Sequence, residues 1–210
     1  NLQNITKDLR AIFIPDRGRI MFYADLQAAE SRATAYLSGD EGYINAAESS
    51  DLHTEVAKMI WPNLGWSEDQ EQNRELADRP YFGNYTYRDV CKRAGHGTNY
   101  GASHTTVSRN IKIKGSQAKR FQLLYYGGVE PLNNLSRWHK QDKRGGFDEL
   151  VEMGEVIGSG TQQLVKVKGA FPGIRSWHDE VVKELQTTGN LITPFGRRRQ
   201  FWGRLDDEHY

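Results

Sequence analysis

The sequence predicts an α/β (α+β) fold, and three features point that way. Two short apolar runs, Ala11-Ile12-Phe13-Ile14-Pro15 and Ile20-Met21-Phe22-Tyr23-Ala24, flank Asp16-Arg17-Gly18-Arg19, the pattern of two strands about a turn. Elsewhere apolar residues recur three or four positions apart, as in Phe171, Ile174, Trp177, Val181 and Leu185, the period of a helix packed on one side. Clusters of glycine and short polar residues separate these segments and mark turns.

The elements follow in order. The second apolar run delivers Asp25 at its end, and a helix begins beyond it, with Leu26, Ala29, Ala33, Ala35 and Tyr36 interleaved with Glu30, Arg32 and Thr34. Ser38-Gly39-Asp40-Glu41-Gly42 closes that helix, and residues 43–49 form another short helical segment. Asp51 is placed to cap a helix running toward Trp61. Residues 62–87, rich in Trp, Gly, Asn and acids, read as a long and partly helical connection. Beyond it Arg88, Lys92, His96 and Tyr100 recur every four residues and share one polar, cationic helical stripe. Gly95, Gly97 and Gly101 each cost such a helix about 1 kcal/mol relative to alanine, so a neighbour approaches closely there or the helix bends. Residues 114–160 are the least regular. The amphipathic helix from Phe171 has Pro172 in its first turn and ends at Gly189-Asn190, after which Phe195-Gly196 leads into Arg197-Arg198-Arg199. No internal repeat is visible.

Composition narrows the function. With 210 residues, 37% hydrophobic and 26% charged, the chain can fill a core, which excludes a disordered or fibrous class. Its longest apolar stretches are a few residues, against about 20 for a membrane-spanning helix, and a membrane protein is not expected. A lone cysteine, Cys91, supports neither a disulfide framework nor a thiolate metal site, and with no basic-then-apolar leader a cytoplasmic setting is expected. The net charge of +1 hides a division: residues 25–79 hold 12 acids and 4 bases, residues 88–144 hold 12 bases and 3 acids. That suits a protein that binds divalent cations in one place and polyanions in another; two solvated, mutually attracting faces are the alternative.

An acid after an apolar run, a cationic stripe ending in an aromatic, and an arginine triplet beside aromatics together suit phosphoryl transfer to a nucleic acid. Asp25 would hold Mg2+, Arg88 and Lys92 a triphosphate, and His96 and Tyr100 the sugar and base. Periodicity alone leaves a solvated helix face as the competing reading.

Resemblance sharpens this. The chain resembles the palm-and-fingers region of a family A DNA polymerase. Asn1-Leu2-Gln3-Asn4-Ile5 is similar to the lead-in to the palm, Asp25-Leu26-Gln27-Ala28-Ala29-Glu30-Ser31-Arg32 to motif A, and Asp51-Leu52-His53-Thr54 to the segment that follows. Arg88, Lys92, Tyr100 and Gly101 resemble motif B, and Phe171-Pro172-Gly173-Ile174 through Phe195-Gly196-Arg197-Arg198-Arg199 the later fingers-to-palm stretch. Tyr-Ala-Asp-Leu-Gln and Gly-His-Gly-Thr-Asn-Tyr-Gly look more phage-like than bacterial.

The resemblance implies a partial palm in residues 1–54, mainly helical fingers in 55–170 with the motif B helix at 88–101, and a helix with an Arg-rich return toward the palm in 171–210. It implies DNA-directed DNA polymerase activity with two Mg2+ ions on primer-template DNA and dNTPs, in the host cytoplasm if phage-encoded. Asp25 would be the catalytic, metal-binding carboxylate and the Leu26 carbonyl a second ligand. Glu30 would be the steric gate against a 2′-hydroxyl, or else simply pair with Arg32 or Lys92. His53, Arg88, Lys92 and His96 would meet the nucleotide, His53 alternatively being only a helix-start residue. Tyr100 would stack at the templating position. Asn1, Asn4, Arg32, Gly101, Arg197 and Arg198 would touch DNA or brace the site.

Some features depart from the family. His96 stands where Phe or Tyr is usual, and Gln27-Ala28 replaces Ser-Gln. The stretch between motif B and Phe171 is about forty residues longer than expected, which implies an insertion at about 115–160, either near DNA or a surface loop. His178-Asp179-Glu180 imitates motif C but falls inside an amphipathic helix, so these three are expected to face solvent without catalytic duty. The residues equivalent to motif C are expected on further polymerase segments. The isolated chain is then expected to be feebly active at most, with an open sheet edge and an incomplete core. A non-catalytic DNA-binding module, half of a split polymerase and a single-subunit RNA polymerase are the rivals, and Glu30 argues against the last.

The basic segment yields one expectation for solution. Binding of primer-template DNA, measured by anisotropy, should weaken steeply between about 50 and 200 mM salt, because each neutralised phosphate releases counterions. A flat salt response would contradict it.

Overall fold

A computed structural model of the chain describes residues 5–22, 24, 26–134 and 154–201. Asn1, Asn4 and Asp25 lie outside the described residues. The observed class is the mixed one expected, helices with small antiparallel sheets.

The first helices start and stop where short polar residues dictate. Helix α1 (Ala29–Ser38) ends at Gly39. Asp40 then caps α2 (Glu41–Glu48), accepting from the Tyr43 N–H at 3.0 Å, and Asp51 caps α3 (Leu52–Ile60), accepting from the Thr54 N–H at 3.4 Å. Both carboxylates satisfy donors that a helix start leaves orphaned. The connection read as partly helical contains α4 (Gln70–Ala77) and a hairpin that the sequence did not reveal, β1 (Pro80–Phe82) with β2 (Tyr85–Thr86). Thr86 and Asp89 form a reciprocal capping box that opens α5 (Tyr87–Asn99).

Helices α6 (His104–Ile111) and α7 (Gly115–Tyr126) follow. Strands β3 (Gly128–Pro131), β4 (Gly154–Ile157) and β5 (Leu164–Val167) form an antiparallel sheet in the order β3-β5-β4, with Val165 opposite both Glu130 and Val156. Helix α8 (Pro172–Thr188) has proline in its first turn and Gly189 past its end, as the spacing predicted. It leads into the hairpin of β6 (Asn190–Ile192) and β7 (Arg198–Gln200).

The core lies where α2, α3, α5, α7 and the start of α8 meet. Ile60, Val90, Phe121, Leu124, Tyr125, Phe171 and Ile174 are fully enclosed. The Phe171 ring meets Tyr43 and Tyr125 edge to face, with centroids 5.0 and 4.9 Å away, a favoured aromatic geometry. Between the tyrosines lies the buried amide of Asn99, whose Nδ2 donates to the Tyr43 hydroxyl at 2.6 Å while Oδ1 accepts from the Tyr125 hydroxyl at 2.8 Å. A second joint ties α2 to α8: Asp40 Oδ2 accepts from the Gly173 N–H at 2.8 Å. A Cβ at Gly173 would lie 2.9 Å from that of Asp40, so the approach admits only glycine.

Three expectations need correction. The N-terminal hairpin is not formed: Lys7–Ile12 is a 3-10 helix, and only the turn survives, with the Arg19 N–H donating to Asp16 O at 2.9 Å. Ile14, Ile20 and Phe22 are about four-fifths or more exposed, so among the described residues no second layer covers the apolar runs, and a lone two-stranded hairpin is marginal in water. The segment from 115 opens not as a surface loop but as α7, whose Phe121, Leu124 and Tyr125 fill the core. His178-Asp179-Glu180 does lie within α8, but His178 does not face solvent. It is half-buried, with Nε2 2.9 Å from Asn99 O and Nδ1 3.3 Å from the Tyr126 hydroxyl. Asp179 is exposed and pairs with Arg175.

The sealed amide gives a stability prediction. Asn99→Leu fills similar volume but strands two buried hydroxyls, and should lower the unfolding free energy by about 2–4 kcal/mol. Urea titration checks this; a loss under about 0.5 kcal/mol would show the network to be dispensable.

Candidate functional site

Helix α5 divides its residues between two tasks. Val90, Cys91, Ala94 and Thr98 turn into the core, while Arg88, Lys92, His96 and Tyr100 form the stripe on its other side, as the four-residue spacing requires. Gly95 and Gly97 lie on the packed side, where the Tyr125 ring and Val107 come within 3.7 and 3.4 Å of where a Cβ would stand. Close neighbours accompany both glycines.

The stripe borders a cavity of about 1130 Å³ between α1, α3 and α5. Glu30, His53, Lys92 and His96 line its walls, Leu26 one edge, and Cys91 and Tyr125 its floor. Burial pushes the Cys91 thiol well up, so it stays protonated and is no nucleophile.

Glu30, in the first turn of α1, reaches across to the stripe. Its Oε2 lies 3.5 Å from His96 Nδ1, and its hydrogen bond from the Tyr100 hydroxyl raises that phenol's pKa. Neither Arg32 nor Lys92 is its partner: Arg32 pairs with Glu48 on α2 at 3.4 Å. The His96 and Tyr100 rings meet with centroids 5.0 Å apart. At Tyr100 the helix gives way, and Gly101 adopts a φ of +72°, against the His178 ring. The backbone there takes a left-handed turn that a side chain resists.

The other end of the stripe is electrostatic. Arg88 forms a two-pronged pair with Asp51, Nε to Oδ2 at 3.0 Å and Nη2 to Oδ1 at 3.1 Å, and Arg74 Nη1 is 3.7 Å from the same Oδ2. Burial tends to raise the Asp51 carboxyl, yet the hydrogen bonds and charge of Arg88 outweigh it and hold it below the usual range. The same hydrogen bond raises the Arg88 pKa. His53 follows two residues after Asp51 and is pushed down to about 4, chiefly by burial and then by the charge of Arg88. At neutral pH it is an uncharged imidazole beside two fixed cations.

Five anticipated residues, Glu30, His53, Lys92, His96 and Leu26, thus border one cavity, with Arg88 and Tyr100 at the two ends of the stripe. Arg197 and Arg198 are exposed on the β6–β7 hairpin, Arg198 donating to Asn190 Oδ1 at 3.0 Å, and do not line it. Among the described residues no group of three or more His, Cys, Asp and Glu could hold a metal, and no helix is long and apolar enough to cross a membrane. Sequence reading gave Asp51 a cap alone. Its place two residues before His53, within a matched segment, was the available signal.

Comparison with known proteins shows what the chain is similar to. The profile of DNA polymerase family A matches residues 1–144. The thermostable DNA polymerase I of Thermus aquaticus is 25% identical over 206 residues, covering 95% of this chain and 18% of that protein. The DNA polymerase I of Streptococcus pneumoniae is 25% identical over 208 residues, 95% of this chain and 17% of that protein. The DNA polymerase of Mycobacterium phage D29 is 25% identical over 191 residues, 90% of this chain and 22% of that protein. The chain therefore spans only about a fifth of the length of these relatives.

The buried histidines set a pH dependence. His53, His104 and His178 all have lowered pKa values, chiefly through burial. Unfolded, each takes up a proton near 6.5, whereas folded His53 resists until about 4. The unfolded state then binds more protons in this interval, and stability falls as pH drops through it. His53→Gln should flatten the fall in urea midpoint between pH 7 and 5. An unchanged slope would remove His53 from this account.

Proposed function

Because the chain belongs to DNA polymerase family A, we propose that it carries part of the nucleotide-binding and metal-binding site of a DNA-directed DNA polymerase, which adds deoxynucleoside monophosphates to a primer 3′-hydroxyl. The observation that carries this reading is the meeting of Glu30, His53, Lys92 and His96 around one cavity, with Arg88 beside His53. A triphosphate needs concentrated positive charge and donors at one end, and its sugar needs a shaped wall at the other. The stripe offers these in that order, since four-residue spacing sets successive side chains one turn apart.

Arg88 and Lys92 hold phosphate oxygens by charge-assisted hydrogen bonds, and His53, neutral when free, gains a proton or donates its N–H when the anion arrives. Glu30 fills the space beneath the sugar, where a 2′-hydroxyl would collide with a carboxylate already engaged by Tyr100. His96 stands against sugar and base. Tyr100, Gly101, Arg32, Arg197, Arg198, Asn1 and Asn4 serve the primer-template. Holding the nucleotide in a fixed orientation lowers the entropic barrier to in-line attack.

The donors assigned to Mg2+, the Asp25 carboxylate and the Leu26 carbonyl, are hard oxygens of the kind this ion takes. Phosphate oxygens and the carboxylate of motif C on further polymerase segments would complete the set for two ions. When bound, the ions polarise the phosphate and lower the pKa of the attacking hydroxyl.

The test uses the full-length protein. Asp25→Ala should cut primer extension by a factor of about a thousand or more, a loss of several kcal/mol, while primer-template affinity stays within about twofold. Undiminished extension would leave a DNA-binding module as the better reading. Glu30→Ala should raise ribonucleotide use relative to deoxyribonucleotide use by about tenfold or more, equivalent to about 1.4 kcal/mol; no gain would remove the steric gate.

A further inference from the structure

Asp51 has two tasks. As the cap of α3 it accepts from the backbone N–H of Thr54 at 3.4 Å and from its hydroxyl at 3.1 Å, so it is held by rigid backbone. The same two oxygens receive the Nε and Nη2 of Arg88, 37 residues away, in the second position of α5. One carboxylate therefore joins the helix that bears His53 to the helix that bears Arg88 and Lys92.

A guanidinium is planar and has five N–H donors. The fork occupies the edge made by Nε and one Nη2 proton, and leaves the Nη1 and remaining Nη2 protons for another anion. An untethered arginine samples many side-chain rotamers, and a ligand must overcome that entropy on binding. Here the side chain is already fixed before any ligand arrives. Arg74 Nη1 also approaches Asp51 Oδ2, at 3.7 Å, while its Nε lies 3.9 Å from Asp78 Oδ2, so Asp51 is shared between two guanidiniums and only the fork with Arg88 is two-pronged.

We infer that Asp51 is a positioning residue for the incoming triphosphate: by gripping one edge of Arg88 it aims the other edge toward the phosphates beside His53 and Lys92. This rests on the reading that Arg88 meets a triphosphate. The opposing possibility is that Asp51 competes with phosphate for Arg88, and the two predict effects of opposite sign. Asn keeps a capping oxygen, and Asn and Asp are comparable caps, so Asp51→Asn removes the charged fork while preserving the start of α3.

The experiment is a double-mutant cycle in the full-length protein. Equilibrium binding of a fluorescent dATP analogue with Ca2+ and primer-template, and single-nucleotide extension with Mg2+, are measured for the wild type, Asp51→Asn, Arg88→Ala and the double variant, with thermal melting alongside. Asp51→Asn is expected to weaken nucleotide binding and raise KM about tenfold, with kcat changed less than about twofold and DNA affinity unchanged. In the Arg88→Ala background the same substitution should have no further effect, since the residue acts through Arg88. Unchanged or tighter binding by Asp51→Asn would overturn the inference, as would an equal loss with and without Arg88, the mark of a purely structural cap. Should the Asn variant not fold, Asp51→Ser retains a capping hydroxyl and cannot form the fork, and the same expectations apply to it. A wild-type protein that neither binds the analogue nor extends primer would instead bring down the polymerase reading itself, and this inference with it.

Discussion

Helix α5 can present four polar side chains to a cavity only because its opposite side is sealed. Val90, Cys91, Ala94 and Thr98 meet Phe121, Leu124 and Tyr125 without loss of packing, and the one strongly polar residue that enters this side, Asn99, finds both its amide groups occupied by tyrosine hydroxyls. An amide left without partners there would cost more than the packing around it gains. The rotation of α5 about its own axis is thereby set, and with it the direction in which Arg88, Lys92, His96 and Tyr100 point.

Charge is distributed to the same end. The acidic segment 25–79 and the basic segment 88–144 were compatible either with separate binding tasks or with faces that attract one another. The structure shows the second of these directly. Asp51 from the acidic segment grips Arg88 from the basic one, and Glu30 reaches His96 and Tyr100. Lys92, between these pairs, remains exposed on the cavity wall. Opposite charges that join the helices thus frame Lys92, one of the cations on the cavity wall.

Much of this was legible in the sequence because its causes are local. Asp51 begins a helix that apolar spacing then continues, and Gly39 and Gly189 end two others, whereas the caps at Asp40 and Thr86 went unread. The cationic stripe could be read because a helix converts spacing into direction. What stayed hidden depends on partners distant in sequence. Ala11-Ile12-Phe13-Ile14 has strand composition, yet forms a 3-10 helix and coil where, among the described residues, no second layer covers it. The sheet of β3, β4 and β5 joins residues too far apart for a periodicity to reveal. His178 looked solvated because α8 puts its neighbours Asp179 and Glu180 outside, and nothing local announced that Asn99 and Tyr126 would meet its ring.

The joint between Asp40 and Gly173 bears on how the chain reaches this arrangement. Its partners are 133 positions apart, so it closes a very long loop, whose entropic cost must be met before the single hydrogen bond returns anything. The caps of α2 and α3 and the reciprocal box at α5 close within three or four residues, and helical turns of that kind assemble in about a microsecond or less. The order of events follows from this disparity. Helices form early and flicker, whereas the docking of α8 onto α2 through one carboxylate and one glycine belongs to the slow, late step, and the kinetics of folding are set by topology more than by the strength of the contact.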